Sequence, residues 1–386
     1  MDLYLISVFA FFAVLAALLI IDRKNIEVNN YVLFMRRTQK GRGLIDRIAS
    51  WNEKFWNNVG FVSVAVGVIG MVFAFVFIGY IFSQQLIGPP TAEGPALVLP
   101  SLSGETTASP GVVAVPFWEW IISILVLVGV HEGMHGIMVK NVKSRIKSLG
   151  LALFVVIPGA FVEPDEEDLQ KKSWIDQIKV YSAGSFANFC LAAFVFLFLT
   201  YVFLPAFALQ GIGFVGYVNA TEYDVQSFPA EEVNLTSPIM SIDGQRTRDY
   251  NEFSEVIRRY SPGDTVQVES PESSYSLKLA ENPEDPESPF LGIAGGSETH
   301  ILKGRYQETL SGSFLNFLRS LLSWIFVLNI GIGIMNLLPL KPLDGGLILE
   351  TISEKFYPDK SEYIVRGVST AALLLLLTTL AISFLG

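Results

Sequence analysis

The chain has 386 residues, of which 51% are hydrophobic and only 17% charged, and its mean hydropathy is +0.45. That is too little polarity to clothe a soluble globule of this size, so the composition indicates a polytopic membrane protein. A net charge of −10 and a pI near 4.9 argue against nucleic acid as a partner, because phosphate binding wants a basic face.

The run Leu3 to Ile21 is uncharged and of spanning length, and Asp22-Arg23-Lys24 follows it in place of a small-residue cleavage site. It reads as a retained anchor. Similar runs lie at about 59–82, 117–139, 180–209, 314–340 and 365–385, which makes about six transmembrane helices and places the chain in the lipid bilayer, with the cell membrane as the expected location. The segment after the first run is rich in Lys and Arg, from Arg23 to Lys54, whereas 83–116 carries neither, so the former is predicted to be cytosolic. Both termini are then extracytoplasmic, the basic 140–179 segment is cytosolic, and the stretch from about 210 to 313 lies outside. Leu44, Ile48, Trp51 and Phe55 recur at helical spacing and suggest an amphipathic helix on the cytosolic leaflet, or else an N-terminal extension of the second span. Segment 83–116, rich in Gly, Pro, Ser and Thr, reads as an irregular loop. The single cysteine, Cys190, reads as a buried apolar thiol and gives no disulfide framework.

After the third span, LALFVVI and AFVE are β-prone runs parted by Pro158-Gly159, which predicts a membrane-associated β-hairpin. Unbonded backbone is tolerated at membrane depth only on protein or beside a wet cavity, and an open strand edge there can accept an extended peptide. From 210 to 300 the composition turns polar. A strand enters an Asp243-Gly244 turn, Asp249 caps a helix with Phe253, Val256, Ile257 and Tyr260 on one face, and TVQVE alternates, so a small α+β domain is predicted. Asn219-Ala220-Thr221 and Asn234-Leu235-Thr236 are glycosylation sequons on the expected outer side. The organisation is therefore 1–58, anchor and amphipathic segment; 59–209, membrane core; 210–300, outer domain; 301–386, C-terminal membrane core.

Two of the three histidines, His131 and His135, bracket Glu132 as H-E-x-x-H near the cytosolic end of the third span. Residues four apart share a helix face, so both imidazoles can reach one zinc ion while Glu132 addresses a water as general base. Ionisable groups inside a span are costly and usually functional. A catalytic zinc usually takes a third protein ligand. Asp344 in NLLPLKPLDGG is the first candidate, because Pro339 and Pro342 unwind the fifth span there. Glu163, in the acidic stretch Glu163 to Asp168, is the fallback, and His300 lies beyond the outer domain.

H-E-x-x-H in a span, N-x-x-P-x-x-x-x-D-G from Asn336 to Gly345, the hairpin ending IPGAFVEPDEE and AGSFANF from Ala183 to Phe189 together resemble the site-2 protease family of intramembrane zinc metalloproteases. The outer segment, SFPAEEVNLTSPIMSIDGQ followed by a helix and SPGDTVQVE, is similar to a PDZ domain. The resemblance implies that His131, His135 and Asp344 bind Zn2+ and that Glu132 activates water. It gives Asn188 and Asn336 the positioning of an unfolded substrate segment. Ser185 departs from the family pattern, which commonly has proline there. Implied partners are single-span membrane-protein substrates, among them membrane-tethered transcriptional regulators, cut after an earlier extracytoplasmic cleavage. Competing readings are a membrane zinc endopeptidase of another family, a zinc transporter, and a non-catalytic PDZ scaffold.

Overall fold

The computed structural model describes residues 3–29, 33–87, 94–154, 157–204, 207–214, 216–223, 225–271, 273–283, 285–302 and 310–385. The chain divides into two compact units. The first comprises Met1–Glu105, Ser109–Phe198 and Arg319–Gly386, and the second Thr106–Ala108 and Leu199–Leu318.

In the first unit, α1 (Leu3–Ile21) is apolar on every side and buries only Val8, as befits a helix whose solvent is lipid. Two short strands follow, β1 (Ile26–Asn29) and β2 (Leu33–Thr38), paired antiparallel with Glu27 opposite Met35. Next come α2 (Arg42–Trp51) and α3 (Glu53–Ile87), parted at Asn52, whose backbone is extended. The Asn52 side chain accepts from the Phe55 amide at 2.9 Å and so starts a new helix. The amphipathic segment is thus a separate helix. Its Ile45 and Ile48 pack with Ile137 and Met138, while Leu44, Trp51 and Phe55 stay exposed.

Segment 83–116 is less irregular than expected. It holds β3 (Leu97–Ser101), β4 (Thr107–Ser109) and β5 (Val112–Pro116), with β3 and β5 parallel and Leu97 opposite Val112. Its turn-forming residues collect between the strands, at 102–105 and 110–111, while Val98, Val113 and Val115 cluster with Trp120.

Then come α4 (Phe117–Asn141), β6 (Ile146–Phe154), β7 (Ile157–Pro164), α5 (Glu166–Leu169) and α6 (Trp174–Phe198). The strands form one antiparallel sheet in the order β1-β2-β6-β7, with Leu33 opposite Phe154 and Leu149 opposite Val162. Pro158 and Gly159 do not form the turn assigned to them. They lie within β7, opposite Leu153 and Ala152, and β7 is an edge strand, where a missing N–H breaks no ladder. Across the sheet, Arg37 of β2 pairs with Glu163 of β7, which also takes Lys147 Nζ at 2.7 Å and the Ser148 hydroxyl at 2.6 Å. Cys190 on α6 is exposed, not buried, because it falls on the outer face of that helix.

The second unit contains β8 (Phe207–Gly213), β9 (Gly216–Tyr217), α7 (Pro229–Glu232), β10 (Ser241–Ile242), β11 (Gln245–Arg246), α8 (Tyr250–Ile257), β12 (Thr265–Glu269), β13 (Ser274–Lys278), β14 (Ala280–Asn282), β15 (Asp285–Phe290), β16 (Ile293–Ala294) and β17 (Ser297–Leu302). A four-stranded sheet runs β11-β10-β12-β13, and β8 pairs with β17. The β10–β11 turn is tight: Asp243 and Gly244 both have positive φ, 47° and 74°. The Asp249 side chain accepts from the Glu252 amide at 2.8 Å and caps α8. Val266 and Val268 point into a core that includes Ile239, Ile242, Val256 and Leu277 and is packed against by Phe253, Ile257 and Tyr260.

The chain closes with α9 (Leu310–Asn336), α10 (Asp344–Phe356) and α11 (Ser361–Leu385). Between α9 and α10 the Pro339 and Pro342 segment is non-helical and buries Leu337 and Leu338 against Met71 and Ile348. Gly345 makes this return possible, since a Cβ there would lie 2.5 Å from the Leu338 carbonyl oxygen. Among the described residues six helical stretches are long and apolar enough to cross a membrane: Leu3–Ile21, Glu53–Ile87, Phe117–Asn141, Trp174–Phe203, Phe314–Asn336 and Pro358–Leu385. Their number is that read from hydropathy, but the fourth ends at Phe203 and the fifth at Asn336, short of the expected 209 and 340, where β8 and the Pro339–Pro342 segment take over.

Candidate metal centre and active site

Helix α4 carries His131 and His135 on one face, one turn apart, and their Nε2 atoms approach to 3.1 Å. The break after α9 brings Asp344, the first residue of α10, to the same point. Its Oδ2 is 3.5 Å from His131 Nε2 and its Oδ1 is 3.6 Å from His135 Nε2. Bonds of about 2.0–2.1 Å in a tetrahedron separate their donors by about 3.3–3.4 Å. The three spacings straddle that value, and two imidazoles with one carboxylate form a donor set that zinc takes, so these residues fit the ion. Among the described residues these three form the group of His, Cys, Asp or Glu donors able to share a metal.

Their orientation is held from behind. His135 Nδ1 lies 2.7 Å from the Val180 carbonyl oxygen of α6, which fixes its proton on Nδ1 and leaves Nε2 free to face the centre. The Asn188 amide lies 3.2 Å from His131 Nδ1. Asn188 is fully buried and its Oδ1 has no partner among the described residues, so with the amide turned to present that oxygen it accepts the Nδ1 proton of a His131 that offers Nε2 to a metal. Gly184, between Val180 and Asn188 on α6, lets that helix come close. A Cβ at this position would lie 2.6 Å from His131 Nε2 and closer still to His135 Nε2.

Glu132 lies on the hairpin side of α4. Its Oε2 accepts from the Val162 amide of β7 at 2.9 Å. That amide points away from β6, so the carboxylate occupies the open edge of the sheet. A cavity of about 790 Å³ spans the region and is lined by His131, Glu132, His135, Asp344, Asn336 and, from β7, Ile157 to Ala160 and Val162.

Of the residues singled out in the sequence, His131, Glu132, His135, Asn188 and Asp344 therefore converge, and Asn336 lines the same cavity. Glu163 does not join the donor cluster. Its hydrogen bonds to Lys147 and Ser148, with Arg37 beside it, occupy the carboxylate and hold its pKa down to about 2. His300 belongs to β17 of the second unit. Missed from the sequence were the Val180 carbonyl and the Val162 amide, which as backbone groups leave no trace in residue identity; Ser185, noted there only as a departure from the family pattern, has its hydroxyl 3.3 Å from Asp344 Oδ2.

The chain is similar to an uncharacterised protein of Methanocaldococcus jannaschii, 25% identical over 351 residues that cover 89% of this chain and 84% of that protein. Residues 119–376 match the family profile described as peptidase family M50. That match begins in the first turn of α4, takes in both histidines, Glu132 and Asp344, and ends within α11, and on its strength the chain belongs to the M50 metalloproteases.

Proposed function

We propose that the protein is a zinc-dependent intramembrane endopeptidase that hydrolyses a peptide bond within or near a transmembrane helix of another membrane protein. The observation that carries this is the convergence of His131, His135 and Asp344 beside Glu132, on helices flanking a cavity, with the histidines on a helix apolar enough to span a bilayer. His131, His135 and Asp344 hold the zinc. When bound, the ion supplies Lewis-acid chemistry, polarising an amide carbonyl and bringing the pKa of water from about 15.7 towards about 7. Glu132 takes the proton of the attacking water and passes it to the leaving amide nitrogen. Val180 and Asn188 keep the two imidazoles turned towards the centre. Asn336, on the cavity wall, contacts the substrate segment.

A helical amide is occupied by its own hydrogen bonds, so the substrate is unwound before attack. The open edge of β7 at the cavity holds it extended by strand pairing. Single-span membrane proteins are the substrates, membrane-tethered regulators among them, trimmed first on the outer side. Residues 210–300 form a PDZ-like extracytoplasmic domain that screens substrates by size or by a newly exposed C-terminus. Both termini share its side, and the zinc lies near the cytosolic face, in keeping with the basic 23–54 and 140–179 segments.

The test is reconstitution of the wild type and Glu132→Gln with a panel of single-span substrates in detergent. Cleavage by the wild type alone, with zinc bound to both, is the expected result. Cleavage retained by the variant overturns the mechanism, and zinc bound with cleavage by neither favours transport or scaffolding.

A further inference from the structure

Ser185 is completely buried on α6, one residue beyond the glycine whose backbone faces both imidazoles. Its hydroxyl donates to Asp344 Oδ2 at 3.3 Å, and among the described residues it is the one neutral donor that faces that carboxylate, the two imidazoles turning their unprotonated Nε2 atoms to it at 3.5 and 3.6 Å. The terminal torsion of an aspartate has a broad, shallow energy profile, so an unsupported carboxylate rotates over a wide arc. A donor fixed on a helix at one oxygen narrows that arc.

We propose that Ser185 is a positioning residue for Asp344: its hydroxyl sets the rotation of the carboxylate so that Asp344 meets the His131 and His135 pair ready to ligate. The proposal rests on the reading that these three residues hold zinc. Partners behind a metal ligand contribute about 10–100-fold in metal affinity. The α6 helix thus serves all three ligands from within three turns, through Val180 behind His135, Ser185 behind Asp344 and Asn188 behind His131.

The test uses the full chain in detergent and measures zinc affinity by competition with a chromophoric chelator. Ser185→Thr and Ser185→Val add the same volume and differ in the hydroxyl. Thr is expected to bind zinc at least about tenfold more tightly than Val, with equal melting temperatures once both are stripped of metal. Equal zinc affinities for the pair overturn the proposal. So does a melting difference in the stripped proteins that accounts for the whole affinity difference, because packing alone then explains it. Should neither larger side chain accumulate in the membrane, Ser185→Ala against the wild type gives the same reading, and wild-type affinity in Ala overturns it. Asp344→Asn reports on the underlying reading separately: if it keeps wild-type affinity, the ligand set is wrong whatever Ser185 does.

Discussion

Replacing Gly184 with alanine puts a methyl carbon 2.6 Å from His131 Nε2 and closer still to His135 Nε2. Comfortable contact between such atoms begins at about 3.5 Å, so the shortfall is about an ångström at both imidazoles at once. Neither ring has an easy retreat, because the Val180 carbonyl sits behind His135 and the Asn188 amide behind His131. Overpacking of this kind costs about 1–3 kcal/mol. If that strain falls on the metal-bound state it weakens zinc binding by about 5- to 150-fold, at about 1.4 kcal/mol per tenfold. The assay is zinc competition against a chelator, with Gly129→Ala as control. Gly129 is on α4 itself, two residues before His131, and nothing stands within 4 Å of its Cβ position. The control should keep wild-type affinity and melt slightly higher, since alanine stabilises a helix interior by about 0.5–1 kcal/mol over glycine. Wild-type zinc affinity in Gly184→Ala would refute the reasoning, because it would place the metal away from the face that α6 presents.

Val162→Pro removes the amide that holds Glu132 while leaving the β6–β7 ladder intact, since an outward N–H on an edge strand pairs with nothing in the sheet. Zinc content should be unchanged and kcat/KM about 10- to 150-fold lower, at about 1.5–3 kcal/mol for a lost hydrogen bond to a charged group, because this amide serves both Glu132 and an arriving strand; an unchanged kcat/KM shows that the amide plays no part in turnover. Asp344→Asn should empty the site on metal analysis of the purified protein, and Glu163→Gln should leave it filled; the opposite pattern transfers the third ligand to the hairpin. The pKa of Glu163 is lowered from 4.5 to about 2, so its bonds to Lys147, Ser148 and Arg37 stabilise the fold fully above pH 4.5 and stop doing so as pH falls through about 2. Melting temperature should therefore drop over that window more steeply in the wild type than in Glu163→Gln, and parallel curves count against the ion pairs as a source of stability.

The membrane helices were legible because each is a long uninterrupted apolar run, and lipid leaves a helix no choice about its backbone bonds. The two histidines and Glu132 were legible because metal spacing on a helix is a local pattern. Asp344 was reached through Pro339 and Pro342, which announce that the helix before it must stop. What escaped was non-local. Strands β1 and β2 lay hidden in a segment that sequence showed only as basic, since the partner of Leu33 is Phe154, over a hundred residues on. Pro158-Gly159 resembled a turn because those residues usually make one, yet an edge strand accommodates both. Cys190 looked buried because it lies in an apolar helix, but where lipid is the solvent an apolar residue gains little by facing inward.

The hairpin of β1 and β2 has a directional effect on the sheet. By pairing with β6 along Leu33 to Thr38 it seals a row of backbone groups that would otherwise attract any extended chain, and it leaves only the four residues of β1 at that far margin. The long free margin, β7, borders the cavity and has Glu132 moored upon it. A visiting strand is thereby steered to one rim, and on arrival it must contend with the carboxylate for the same amide.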